Sequence, residues 1–182
     1  MIYLLLALES EMPDSSLIPA NFCICYTGVG KVNAAIASAK ICQLNDCDQV
    51  INYGTAGTLL EDLVGHLVKV SRIYQRDMDA RPIVELGITP FEDSGGVIDL
   101  GFEGVSLSTG DNFVTSPPDL VTDIVDMEGY AIAKACRNAG KYFTCYKYIT
   151  DLADENASQN WSDNVAKGAK LFLEQKPWLS TR

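Results

Sequence analysis

The sequence predicts an α/β fold, with a sheet of short strands covered by helices on both faces. Two observations carry this. Segments such as IYLLLAL (2–8), FCICYTG (22–28) and YFTCYKYITD (142–151) are apolar on both alternating faces, as strands buried on two sides are. They alternate with helix-patterned stretches, KVNAAIASAKICQL (31–44) and GYAIAKACRNAG (129–140), the order expected of a layered sheet. Size supplies a third constraint. A chain of 182 residues, 47% apolar and 21% charged, has enough material for one well-buried core and little for two. Residues 1–182 therefore read as a single domain.

Taken in order, the first strand gives way to Glu9, Ser10 and Glu11, and the second runs through a GVG turn into the first helix. A third strand, QVINYG (49–54), is expected to end in a turn at TAGTLLED. HLVKVSRIYQRD (66–77) and GVSLSTGDNFV (104–114) supply further strands. Between them, the glycines and prolines of 78–103 read as loop, with one strand near 96–100. SPPDLVTDI reads as a short helix entered through proline. IVDME is a strand that feeds a helix stopping at Gly140. NWSDNVAKGAKLFLEQK reads as one closing helix before Pro177.

Composition limits the function. A formal charge of −10 disfavours nucleic acid and anionic membranes as partners, but not a small ligand. The apolar run before Glu9 has no basic residue ahead of it and is too short for a signal peptide or a membrane span. The six cysteines form no CxxC pair, and most read as small buried hydrophobes in a reducing cytoplasm. His66 is the single histidine. It opens a strand-like run and reads as a surface or satisfied side chain. No metal or cofactor is expected.

Ligands of open α/β sheets gather at the carboxyl ends of strands, and several polar residues sit there in this sequence. Glu9 and Glu11 follow the first strand, GVGK the second, and Gly54 to Gly57 the third. Asp111 and Phe113 follow a later strand, Glu128 ends IVDME, and Asp151 ends YFTCYKYITD. Singly, each has a structural explanation. Glu11 can be a solvated acid. Asp126 and Glu128 can answer a helix dipole. Asp151 can cap a turn. TGVGKVNAA lacks the glycine spacing and the Ser/Thr after Lys31 of a phosphate loop, so Gly28 and Gly30 read as a tight turn.

Six stretches, in order, resemble the nucleoside phosphorylase/nucleosidase superfamily, most closely its 5′-methylthioadenosine/S-adenosylhomocysteine nucleosidases. They are ALESEM (7–12), TGVGKVNAA (27–35), INYGTAGTL (51–59), STGDNFV (108–114), VDMEGYAIA (125–133) and ITDLADE (149–155). The resemblance implies a three-layer sandwich around a central mixed, twisted sheet. It implies hydrolysis of the N-glycosidic bond of a purine nucleoside, in nucleoside catabolism and methionine salvage, by a cytoplasmic homodimer or larger homo-oligomer. It also implies roles. Asp151 would protonate the purine at N7, and Glu11 would orient the attacking water. Glu128 would accept the ribose hydroxyls above Met127. Phe113 would stack on the base and the backbone of Val114 would read its edge. Thr55, Ala56 and Gly57 would line the water and ribose side, and Trp161 would cover the 5′ substituent. Asp126 keeps the reading of a charge at a helix start or on the surface. QRDMDARPI (75–83) reads either as a contribution to a neighbouring subunit's pocket or as a solvated loop.

These residue types suit the reaction. A protonated purine leaves more readily, and general acid catalysis contributes roughly 10²–10⁴-fold. A second carboxylate across the sugar aligns water, as in inverting glycoside cleavage. The superfamily's phosphorylases hold phosphate with arginines near the glycine turns. Here those turns offer only Lys31, and a dianion without a cationic clamp is poorly held. Water is the expected nucleophile. A phosphorylase and a non-catalytic nucleoside-binding paralogue are the alternatives.

Overall fold

The structure is a computed structural model that describes residues 1–92, 95–155, 157–176 and 179. Its strands are β1 (Ile2–Leu6), β2 (Phe22–Tyr26), β3 (Gln49–Thr58), β4 (Leu67–Gln75), β5 (Val97–Asp99), β6 (Val105–Thr109), β7 (Ile124–Asp126) and β8 (Tyr142–Leu152). The helices are α1 (Lys31–Cys42), α2 (Gly129–Asn138), α3 (Ala157–Asn164) and α4 (Lys167–Gln175), with a single 3-10 turn at Glu9–Glu11 and another at Glu61–Leu63.

All eight strands join one mixed sheet in the order β2-β1-β3-β7-β6-β4-β5, with β8 paired to both β3 and β4. β1 and β8 run parallel to β3, whereas β7 meets it antiparallel. The pairings β3–β7–β6–β4–β8–β3 close a ring, from which β1 and β2 extend along the free edge of β3. Alternation on the strands feeds two cores. Tyr3, Leu5 and Val50 join Ala34, Ile41, Ile132 and Cys136 on the α1/α2 side. Leu4, Leu6, Ile51 and Tyr53 join Met12, Ala169 and Phe172 on the α4 side. Helices on both faces of a central mixed sheet make the three layers that the sequence predicts.

Three local expectations are corrected. β3 does not turn at Thr55 but continues to Thr58, because the glycines that suggest a break serve close packing instead. A Cβ at Gly57 would lie 2.9 Å from Asp151 Oδ1, and one at Gly54 would lie 3.0 Å from Glu11 Oε1. The SPPDLVTDI segment forms no helix. The first of two consecutive prolines is steered away from helical ψ by the second, and the segment's end is tied along β6. Ser106 donates to Asp123 from its backbone N–H and its hydroxyl, both at 2.7 Å, and the Thr122 hydroxyl lies 2.8 Å from that of Ser108. The closing helix is split between Asn164 and Lys167. Asn164 donates to the Thr150 carbonyl at 2.9 Å. Gly168 lies against the Tyr148 ring, where a Cβ would be 2.3 Å away, so α4 takes its own approach to the sheet.

Other expectations hold. A strand does cross the 78–103 loop, at Val97–Asp99. α2 stops at Gly140, whose φ is 64°, where Lys141 N–H returns to the Cys136 carbonyl. His66 is exposed, and Cys42, Cys47, Cys136 and Cys145 are buried thiols. Among the described residues no helix is long and apolar enough to cross a membrane.

Candidate active site

A break along one edge of β3 creates the site. β1 pairs with β3 up to Asn52, and β7 takes over only at Gly57. Between them the edge of β3 is free of strand partners, and Glu11 fills the opening. Its Oε1 accepts from Thr55 N–H at 2.8 Å and from the Thr55 hydroxyl at 3.0 Å, while Oε2 accepts from Ala7 and Leu8 N–H at 2.9 and 3.1 Å. The 3-10 turn at Glu9–Glu11 folds the chain back so that this acid, 4% exposed, points inward. It is not the solvated acid that it resembles when read alone.

Asp151 arrives from the other side of β3. The β3–β8 register slips between Ala56 and Gly57, so that Gly57 faces Asp151 rather than Thr150. Such a bulge re-aims a side chain, and here it lays the Asp151 carboxyl across Gly57. Burial pushes this carboxyl up to about 6, against the downward pull of Thr150, whose hydroxyl donates at 2.5 Å; Asp154 adds to the rise.

Glu128 occupies the N-cap position of α2 without capping it. The helix is capped by other groups: Asp126 Oδ2 accepts from Gly129 N–H at 2.8 Å, and Thr109 Oγ1 from Tyr130 N–H at 2.9 Å. Glu128 is thereby free to cross to the GVG turn, where Gly30 N–H donates to its Oε1 at 2.7 Å. This tight glycine turn thus holds a carboxyl group belonging to the protein itself. Burial first, then the neighbouring Asp126 charge, pushes the Glu128 carboxyl up to about 7; Lys147 and Gly30 N–H pull it down and Glu11 adds to the rise.

Asp126 itself requires correction. It is 6% exposed, so the surface reading fails, although its place at a helix start stands. Its carboxylate forms a 2.8 Å ion pair with Lys147, which is 1% exposed, and accepts from the Thr109 hydroxyl at 2.5 Å. Burial alone would lower the lysine's pKa, but Asp126, Cys145 and Glu128 more than compensate and hold it above its ordinary value. Lys147 lies beneath Gly54, on the side where Glu11 also approaches. Sequence reasoning missed it. One lysine in the apolar run YFTCYKYIT carries no local sign of a buried partner on β7.

Arg76 stands in a strand-like run of the sequence that gives it no place at the site. It is 5% exposed and lines the cavity. Nη1 donates to the carbonyls of Ser108 and Asp126, both at 2.7 Å, and Nη2 to those of Gly110 and Asn112 at 3.2 and 2.7 Å. Arg76 therefore ties together the ends of β6 and β7 that carry the site. Nearby, Lys31 is paired with Asp77 and Asp111, and its N–H donates to Asp111 at 2.7 Å.

These groups surround a cavity of about 200 Å³. Glu11, Thr55, Ala56, Gly57, Phe113, Val114, Met127, Glu128, Asp151 and Trp161, the ten residues singled out in the sequence, all line it. Phe113 is 45% exposed and Val114 buried, so an aromatic face lies open at the mouth. Trp161 reaches in from α3, its indole N–H donating to Thr55 Oγ1 at 2.9 Å. Four carboxylates line this partly apolar space; Asp126 is engaged by Lys147, which leaves Glu11, Glu128 and Asp151, from distant parts of the chain, to face it. Acid–base work on a small uncharged ligand with a flat ring suits such an arrangement.

Comparison with known proteins gives a consistent result. A family described as the phosphorylase superfamily matches residues 20–175. The 5′-methylthioadenosine/S-adenosylhomocysteine nucleosidase of Hydrogenovibrio crunogenus is 30% identical over 85% of this chain and 80% of its own. Among solved structures, the nucleosidase of that name from Neisseria meningitidis, in complex with methylthio-immucillin-A, is similar with a TM-score of 0.80 at 25% identity, covering 93% of each chain. The one from Helicobacter pylori has a TM-score of 0.85 at 22% identity, covering 100% of this chain and 98% of its own.

Proposed function

This chain belongs to the phosphorylase superfamily, and from that premise we propose that it hydrolyses the N-glycosidic bond of an adenine nucleoside with a thioether 5′ group. 5′-Methylthioadenosine and S-adenosylhomocysteine are the substrates in mind, and the products are free adenine and the ribose moiety. The observation that carries the proposal is the set of three carboxylates, Glu11, Glu128 and Asp151, around one cavity. The purine lies against Phe113, with its edge at the backbone of Val114. The protonated Asp151 carboxyl, its pKa raised by burial, gives its proton to N7 as the C1′–N9 bond breaks. The sugar develops oxocarbenium character above Met127, and Glu128 accepts its hydroxyls. Water held by Glu11 on the opposite face forms the new bond to C1′ and loses a proton toward that carboxylate. Solvent then restores the proton of Asp151.

Water rather than phosphate is the nucleophile because the cations nearby are committed. Among the described residues lining the cavity Arg76 is the one cation, and its terminal nitrogens are occupied by four carbonyls. Lys31 is shared between two aspartates. We further assign the active form to a homo-oligomer in the cytoplasm, as the family resemblance implies.

Incubation with methylthioadenosine, S-adenosylhomocysteine, adenosine and inosine, with and without phosphate, tests this reading. Equal release of adenine without phosphate supports it, and strict phosphate dependence or ribose-1-phosphate as product refutes it. Glu11→Gln is expected to lower turnover at least a hundredfold and to melt somewhat below its parent, because an amide NH2 cannot accept from the two donors that one Glu11 oxygen serves. The pH profile provides a separate check. Asp151 must hold its proton and Glu128 must have lost its own, so kcat/KM peaks between about 6 and about 7 and falls on both sides. In Glu128→Gln the acid limb disappears and only the decline above about 6 remains. An unchanged acid limb in that variant rules out the role given to Glu128.

A further inference from the structure

We propose that Trp161 is a positioning residue that acts on Glu11 through the Thr55 hydroxyl, in addition to forming a wall of the cavity. The proposal rests on the reading of Glu11 as the carboxylate that holds the attacking water. Its basis is the directionality of two hydrogen bonds. An indole N–H can only donate, and that of Trp161 donates to Thr55 Oγ1 at 2.9 Å. The hydroxyl has a single proton. With one lone pair engaged by the indole, that proton is directed to Glu11 Oε1, 3.0 Å away. The order Trp161 to Thr55 to Glu11 therefore has one polarity.

The polarity matters because of what else Glu11 accepts. Its other three donors are the backbone N–H groups of Ala7, Leu8 and Thr55, which the chain itself fixes in place. A carboxylate offers about four lone-pair sites, and these four donors occupy them. The Thr55 hydroxyl is the only rotor of the four, so it is the group that must share Glu11 with an incoming water. By holding the oxygen of that rotor, Trp161 keeps its single proton on Glu11 Oε1 and so fixes the carboxylate beside the water. Without the indole N–H the hydroxyl can turn its proton away from Oε1, and Glu11 then loses the donor that fixes which part of its carboxylate meets the water.

The helix that carries Trp161 is placed for this task. α3 is anchored one turn further on, at its last residue, by Asn164, which donates to the Thr150 carbonyl at 2.9 Å, next to Asp151. One short helix thus contacts the flanks of both Glu11 and Asp151, on either side of β3, and sets Trp161 relative to both.

Two arms test the proposal. In the first, Trp161→Phe keeps an aromatic wall and removes only the donor. We expect kcat to fall about five- to tenfold, the scale of one neutral hydrogen bond, with KM changed by less than about twofold. In a Thr55→Val background the same substitution is expected to add nothing, because the two residues act in series. An equal effect of Trp161→Phe in both backgrounds, or an effect confined to KM, overturns the proposal. The second arm needs no activity. The Trp161 indole N–H resonance, assigned by its loss in Trp161→Phe, is expected to be downfield and protected from exchange, and to lose both properties in Thr55→Val. A resonance indifferent to Thr55→Val overturns the proposal as well. If the parent chain releases no base from any nucleoside, the reading of the site falls, and the resonance alone then decides between relay and wall.

Discussion

Replacing Asp151 by asparagine is expected to give a protein that is nearly inactive and melts at a higher temperature than its parent above pH 7. The activity loss follows from the missing proton. Asparagine cannot donate to N7 as an acid does, and general acid catalysis contributes roughly 10²–10⁴-fold. The gain in stability follows from the same burial that tunes the acid. The folded-state pKa of Asp151 is raised to about 6, above its unfolded value. Its protonation therefore favours the folded state below the unfolded value, and that advantage is lost as pH rises through about 6. Above pH 7 the charged carboxylate is a burden that asparagine removes, by about 1–2 kcal/mol after allowing for partial screening, or roughly 3–5 °C in a chain of this size. Calorimetry and adenine release on the same two proteins check both halves. A variant that is both inactive and less stable would trace the loss to misfolding and leave the catalytic role unsupported.

The largest loss of stability is expected at Lys147. Lys147→Met leaves the Asp126 carboxylate buried without its cation, which costs about 3–5 kcal/mol and lowers the melting temperature by roughly ten degrees. Asp126→Asn in the same chain should recover much of this, because removing both charges costs far less than stranding one. Denaturant titration of the two single variants and the double variant measures the coupling. Additive losses would mean that the 2.8 Å pair is an incidental contact. A pair that spans β7 and β8 also predicts that the double variant, though folded, responds to pH differently, because Glu128 loses both the Asp126 charge that raises its pKa and the Lys147 charge that lowers it.

The legibility of this chain divides along physical lines. Strands β1, β3 and β8 are plain in the sequence because burial on both faces leaves long apolar runs, and α2 is plain because its stop at Gly140 is local. Nine of the ten cavity-lining residues are legible because each sits at a strand end or next to a glycine, within a short segment whose order repeats the family's; Trp161, in a helix beyond the last of these segments, rests on spacing alone. What could not be read depends on partners far along the chain. Asp126 looks like a helix-start charge until Lys147, some twenty residues later, is seen beside it. Arg76 follows a strand without distinction, yet its guanidinium serves four carbonyls contributed by residues 108–126. The glycines of GTAG mislead for a related reason. Glycine usually signals a turn, but here its missing side chain makes room for carboxylates from residues 11 and 151.

The closure of β3, β7, β6, β4 and β8 into a ring bears on how the chain reaches its folded state. β3 and β8, the longest strands in the sheet, pair residues 49–58 with residues 142–152, so the loop to be closed spans half the chain. Non-local pairing of this kind slows folding. Asp151 arrives only with β8, and Glu128 only with β7, so a folding intermediate lacking either strand has no nucleoside site. A tight-binding nucleoside analogue should therefore leave the refolding rate almost untouched and slow unfolding instead, because its contacts form after the rate-limiting step. Such a ligand preserves the molecule once it is made and gives no help in making it.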